Sequence, residues 1–174
     1  MATKGDTDAE GILKDNVARI KAMMLVNDNL QLGETDKPLA LKPFVENIIT
    51  HSSQVFELEN KVTFKVSIDD RLQLGTGRGL PLGLIVTELI VNSYKHAFKK
   101  TAHPEIIIKM ELKEDTWLMY YGDNGCGMPE NVNSSFGTDL VRDLTRQLQG
   151  ELELVNNGGV SYSFTFLVNR LDML

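Results

Sequence analysis

Apolar positions recur along this chain at two different periods. Within residues 8–30, Ile12, Val17, Ile20, Met23, Met24 and Leu30 return at near-helical spacing and predict a first helix, which Asp6 or Asp8 is placed to cap. Residues 31–38 hold a Gly and a Pro and read as a linker. Residues 40–58 predict a second helix with Leu41, Phe44, Val45, Ile48, Ile49 and Val55 turned inward. At 61–68 the period drops to two, with Val62, Phe64, Val66 and Ile68 on one side, and predicts a strand. A turn-rich stretch at 75–79 leads to Pro81, suited to the first turn of a helix that reaches about Phe98. Two strands, 105–112 and 116–121, are joined by the turn Lys113-Glu114-Asp115. A helix over 136–148 precedes strands near 151–155 and 160–168, with Asn156-Asn157-Gly158-Gly159 as the hairpin turn between them.

This order satisfies an α/β class: a two-layer sandwich in which helices cover one face of a mixed sheet. The N-terminal helix stands apart. It precedes the linker, and its apolar face calls for a partner from outside the chain.

The helix ending near Phe98 carries one narrow polar stripe. At about 100° per residue, Glu88, Asn92, Lys95 and His96 fall in a single sector. The remaining positions, Leu89, Ile90, Val91, Tyr94, Ala97 and Phe98, are core-like. A carboxylate, an amide, an ammonium and an imidazole aligned on so apolar a helix are costly without a partner. A ligand bearing phosphates and a metal is such a partner. The Asn92 amide oxygen suits Mg²⁺, whose other positions phosphate oxygens and waters would fill. Lys95 suits phosphate charge, and Glu88 suits polarising a hydroxyl or holding a metal-bound water. The plainer alternative is a solvated helix face.

Downstream, Asp123-Asn124-Gly125-Cys126-Gly127-Met128-Pro129 follows a predicted strand. An aspartate accepts a hydrogen bond from an adenine amino group, whereas a guanine would present a carbonyl there. Gly125 and Gly127 let backbone approach a base closely. Asp-Asn-Gly is equally an ordinary turn sequence. Phe136-Gly137-Thr138-Asp139-Leu140 opens a helix whose first N–H groups suit a phosphate, or else Thr138 is a plain cap. Cys126 has no base near it in sequence and reads as a small packing residue. His51 and His103 lack metal-like spacing and read as surface residues.

Composition narrows the partners. The chain has 174 residues and a net charge of −6, with no long basic run, which argues against nucleic acid or an anionic membrane as its main partner. One cysteine excludes an internal disulfide and fits a reducing, cytosolic setting. No apolar run approaches the roughly 20 residues of a membrane span. The first residues do not form a signal peptide.

In combination, these residues resemble the ATP-binding catalytic domain of sensor histidine kinases, within the GHKL superfamily that also holds gyrase and MutL. The resemblance rests on Glu-x-x-x-Asn-x-x-Lys-His-Ala at 88–97, Asp-x-Gly-x-Gly at 123–127, Gly137 before a helix, and the last glycine-containing hairpin. Pro81-Leu82-Gly83-Leu84 and the seven residues between Pro129 and Gly137 resemble the short-lid kinases related to the HWE group. The resemblance implies a Bergerat-type ATP fold over 33–174. It also implies that 1–32 is the second helix of a dimerisation and phosphoacceptor hairpin, with its linker. The first helix of that hairpin would bear the phosphorylated histidine, and no histidine of this chain matches it.

Carried over residue by residue, the resemblance makes Asn92 the Mg²⁺ ligand and Glu88 the acidic head of the same motif. Lys95 and His96 become phosphate-side residues and Asp123 the adenine reader. Gly125, Gly127 and Gly137 become loop glycines, with Met128, Thr138 and Leu140 lining the nucleotide. It implies phosphoryl transfer from Mg-ATP to histidine, a homodimer in the full-length protein, and onward transfer to a response regulator. Two positions depart from the pattern. Asp139 stands where a second phosphate-loop glycine is usual, and Val160 where a threonine usually supports a water near adenine. Two rival readings remain: an anti-sigma-like binding module of the same superfamily, and a degenerate scaffold that no longer binds ATP.

Overall fold

The computed structural model describes residues 4–31, 38–56, 61–128 and 136–168. A five-stranded sheet runs in the order β2(Thr63–Ile68), β4(Glu105–Lys113), β5(Thr116–Asp123), β7(Val160–Leu167), β6(Gly150–Asn156). β2 lies parallel to β4, and every other neighbour pair is antiparallel. The sheet is therefore mixed, as the sequence predicts.

Alternation decides which face is covered. Ile106, Ile108 and Met110, then Trp117, Met119 and Tyr121, then Tyr162, Phe164 and Phe166 all point to the same buried side. Trp117 stacks on Phe166 with ring centroids 4.2 Å apart. A register slip of one residue would send this whole set to solvent, so the pairing Tyr121↔Tyr162 is strongly specified. The opposite face carries exposed Lys109, Glu111, Ser163 and Thr165.

Helices α2(Leu41–Val55), α3(Thr76–Asn92) and α4(Phe136–Gln147) form the covering layer. α3 is the central one: every residue from Pro81 to Val91 is buried, as expected for a helix hydrophobic on nearly all sides. Gly83 permits the α2 contact, since a Cβ there would come within 2.9 Å of the Phe44 ring.

α3 departs from its predicted bounds at both ends. It begins at Thr76, so Pro81 is its sixth residue and not part of its first turn. The Arg78 guanidinium donates to the Leu148 and Leu167 carbonyls at 3.1 Å each, anchoring that early turn from across the fold. At its other end the α-helix stops at Asn92 and continues as a π-helical turn, Ser93–Ala97. A two-stranded sheet that periodicity does not reveal joins β1(Leu39–Ala40) to β3(Gln73–Leu74). These strands are too short to show a period. Most of the predicted linker, 32–37, lies outside the described residues.

The N-terminal helix is α1(Lys4–Gln31). It starts before Asp6 and Asp8, so neither precedes it as a cap. It packs on α2 and α3 through Asp15, Ala18 and Ala22. Among its described side chains, most of the large apolar ones face outward: Ile12 is 60% exposed and Leu13 62%, against 2% for Ala22, Ile20, Met23 and Met24 are exposed too, and Val17 is half-buried. Among the described residues, no helix is long and apolar enough to cross a membrane.

Candidate active site

Glu88 and Asn92 lie one turn apart on α3, and they meet the N-terminus of α4. A Cβ placed on Gly137 would lie 2.9 Å from Glu88 Oε2, 3.3 Å from Asn92 Oδ1 and 3.4 Å from Asn92 Nδ2. Only a glycine lets the second residue of α4 come this close. Helix α4 thus begins beside the carboxylate and the amide. Asn92 Nδ2 is buried and has no hydrogen-bond partner among the described residues, an arrangement that costs about 1–3 kcal/mol unless a ligand or water meets it.

The same stripe is gripped from the other side by α1. The Arg19 guanidinium donates to both oxygens of Glu88, through Nε to Oε1 and through Nη2 to Oε2 at 3.0 Å. Glu88 is only 1% exposed, so the pair is charged, bidentate and largely removed from water. Its hydrogen bond to Glu88 raises the Arg19 pKa further above its ordinary value. One turn before Arg19, Asp15 Oδ2 accepts from Lys95 Nζ at 2.6 Å. Asp15 Oδ1 is buried without a partner.

Asp123 is held differently, entirely from within the sheet layer and its covering helix. Its Oδ1 accepts from the Gly125 N–H at 2.9 Å and, more weakly, from the Val160 N–H at 3.4 Å. Its Oδ2 accepts from Ser93 Oγ at 2.7 Å. The Tyr121 hydroxyl, 2.9 Å from Ser93 Oγ, donates to the Leu89 carbonyl at 3.0 Å. Burial drives the Tyr121 pKa well above its ordinary value, so it stays a neutral donor. The chain Tyr121–Ser93–Asp123 ties the carboxylate to α3 and the π-helical turn.

The glycine turn is pinned at three points. Cys126 N–H donates to the Ala97 carbonyl at 3.0 Å, and Gly125 lies directly on Ala97. The Asn124 side chain accepts from Glu105 N–H and donates to the His103 carbonyl, both at 2.8 Å. The Asn156 amide clasps the Met128 backbone through both its N–H and its carbonyl, at 2.8 Å each. Gly127, at φ +75°, adopts a conformation that favours glycine, and a Cβ there would press on Asn156 Oδ1. A cavity of about 330 Å³ opens next to this region, between α4 and the β6–β7 hairpin, and Thr138, Arg142, Leu154 and Tyr162 are among its lining. The Tyr162 hydroxyl is buried without a partner, and burial, with Asp123 nearby, pushes its pKa up to about 12.

The structure brings Glu88, Asn92 and Gly137 into one contact, with Asp123, Gly125 and Gly127 in the adjoining turn. Met128 and Leu140 are half-buried and pack against the core. Thr138 lies inside α4, which begins at Phe136, so it is not the cap. Lys95 is turned toward Asp15, and the His96 ring is exposed. Partial burial, with the ammonium groups of Lys95 and Lys99 nearby, lowers the His96 pKa. Cys126 is exposed rather than packed, its thiol 3.3 Å from the His96 carbonyl. His103 is at the surface as predicted, but His51 is half-buried with Nδ1 shielded and unpartnered. The sequence marks none of Arg19, Asp15 and Ser93 directly as a site residue, and Asn156 only as part of the hairpin turn. The one signal for the first two was their place on the polar side of α1.

The donor set fits Mg²⁺. The Asn92 amide carries one oxygen of the hard kind that Mg²⁺ takes, beside the start of α4. That suits an ion completed by phosphates and water.

No family model matches the chain. It is 28% identical over 172 residues to the sensor histidine kinase PdtaS of Mycolicibacterium smegmatis, covering 94% of this chain and 34% of that protein. To PdtaS of Mycobacterium tuberculosis it is 26% identical over 160 residues, covering 87% and 32%. The chain thus spans about a third of the length of these curated relatives. Its fold matches the histidine kinase domain of the Erythrobacter litoralis EL346 blue-light activated histidine kinase with a TM-score of 0.79 at 19% identity, over 89% of this chain and 75% of that one. The chain is thus similar in sequence, over most of its own length, to sensor histidine kinases, and it shares the fold of a histidine kinase domain.

Proposed function

We propose that this domain binds Mg-ATP between α3, the glycine turn and the N-terminus of α4, and transfers the γ-phosphoryl group to a histidine. The contact of Gly137 with Glu88 and Asn92, beside a buried amide nitrogen that lacks a partner, carries this reading. Asp123 is the adenine reader: its carboxylate is oriented by Ser93 and the Gly125 N–H and retains lone pairs for an amino group. The N–H groups at the start of α4 face the phosphates. Asn92 Oδ1 holds the metal, which when bound supplies charge neutralisation at the phosphate oxygens. Lys95 adds a cation, and Glu88 is the carboxylate placed to polarise or receive a proton at the reacting centre.

The acceptor histidine would lie on a helix that covers the outward apolar face of α1. The exposure of Ile12, Leu13, Ile20, Met23 and Met24 supports such a neighbour, as does the sequence resemblance of α1 to half of a phosphoacceptor hairpin. A homodimer of the full protein and onward transfer to a response regulator belong to the same reading.

Calorimetric titration with ATP, with and without Mg²⁺ and with GTP as control, tests it. Selective ATP binding strengthened by Mg²⁺ is expected, and Asn92→Ala should remove the Mg²⁺ effect. If Mg²⁺ still strengthens binding in that variant, Asn92 is not the ligand. No binding at millimolar ATP would favour the scaffold reading instead.

A further inference from the structure

We propose that α1 is an internal competitor for the phosphate side of this site, a latch that must loosen before the site can work. The proposal rests on the nucleotide reading above. The two charged groups assigned to phosphate and proton chemistry, Lys95 in the π-helical turn and Glu88 on α3, are both already taken, and both by the same helix. Lys95 Nζ is 2.6 Å from Asp15 Oδ2, and the guanidinium of Arg19 spans both oxygens of Glu88. Asp15 and Arg19 are four residues apart, one turn of one helix face. Lys95, in the π-helical turn, lies seven residues beyond Glu88 on α3, and both meet the same face of α1. The helices thus meet as a charge-matched pair, with α1 offering a carboxylate where a phosphate would go.

The latch is also built with unspent potential. Asp15 Oδ1 is buried with no partner, although its other oxygen is well paired. The α1 face that seats these charges is otherwise small, with Ala18 and Ala22, while the large apolar side chains point away. Among the described side chains, the charged pairs are therefore the specific contacts that set the position of this docking. A carboxylate gripped at both oxygens cannot turn toward a proton donor, and an ammonium held by a carboxylate is not free for a phosphate. Nucleotide and α1 thus compete for Lys95, and by linkage each weakens the other's hold by the same factor.

The test uses the whole chain. Asp15→Asn frees Lys95 while nearly preserving shape. Ala22→Trp wedges α1 outward without altering either ion pair's chemistry. Both variants should bind Mg-ATP about five- to twentyfold more tightly than the parent, the range of ordinary coupling between sites. Mg-ATP should in turn speed hydrogen exchange of the α1 amides in the parent chain. If both variants bind ATP as the parent does, and ATP leaves α1 protection unchanged, the latch is rejected while the nucleotide site stands. If neither parent nor variants bind ATP at millimolar concentration, the site reading falls and takes the latch with it.

Discussion

The two halves of the site are held by different means. Asp123 is fixed from inside the domain, by backbone N–H groups of its own turn and of β7 and by a serine of the π-helical turn that follows the central helix. Glu88 and Lys95 are fixed from outside the sheet sandwich, by side chains of α1. The first half is preorganised whenever the domain is folded. The second changes whenever α1 moves. A base-reading group gains from rigidity, because orientation is its whole contribution. A phosphate- and proton-handling group that can be covered or released becomes a point of control.

The internal half should break most severely under backbone crowding. Gly125→Ala would overlap the Ala97 Cβ and place its methyl group 2.7 Å from the Ala97 Cα and carbonyl oxygen. A loss of about 3 kcal/mol is expected in denaturant unfolding, because the π-helical turn and the glycine turn cannot both keep their places. An unchanged midpoint would mean that the turn is not seated on Ala97 as described.

Next in size is Asp123→Asn, which should keep the fold but weaken ATP binding about ten- to a hundredfold, the cost of a hydrogen bond to a charged group. The Asn Oδ1 still accepts from Gly125, while its N–H₂ group clashes in sense with the Ser93 donor or the adenine amino group. Parental affinity in the variant would remove Asp123 from the site. Comparing this loss with the gain expected for Asp15→Asn separates the two halves directly, since one substitution should weaken binding and the other strengthen it.

The smallest effect concerns His96, at the seam between the halves. The fold lowers its pKa below the ordinary 6.5, through partial burial and then Lys95 and Lys99. The unfolded chain therefore takes up the proton first as pH falls. Stability from this residue is fully present above about pH 6.5 and declines below it, until the lower folded value is reached. His96→Gln should flatten the fall in melting temperature between pH 7 and 5.5. An identical slope in parent and variant would assign the effect to other groups.

Much of this was legible along the chain because it depends on short-range periods. Alternation in β4, β5 and β7 sorts their side chains to two faces. The spacing of Glu88 and Asn92 places them one turn apart, and Asp123 with its glycines marks a turn after a strand. Each of these is settled within a few residues. The π-helical turn after Asn92 was not legible, because Ser93–Ala97 is good helical sequence. What accompanies the wider turn is docking of the Ala97 carbonyl and Cβ against Cys126 and Gly125, nearly thirty residues away.

The orientation of α1 marks the boundary most clearly. Its sequence determined that it would be a helix with one apolar and one polar side, and that the apolar side would need a partner from outside the chain. Only the tertiary structure decided that the polar side would dock on the domain. A helix buries the face for which its neighbour offers the better match, and α3 and the π-helical turn after it offer Glu88 and Lys95, charges that would be costly to bury alone. Arg19 and Asp15 answer them, and Ala18 and Ala22 allow the close approach. The apolar side is left outward because the described parts of the domain give it nothing to cover it. The meeting of Gly137 with Glu88 and Asn92 is likewise a tertiary decision: each residue carries its chemistry in sequence, but their contact exists only once α4 has packed against α3.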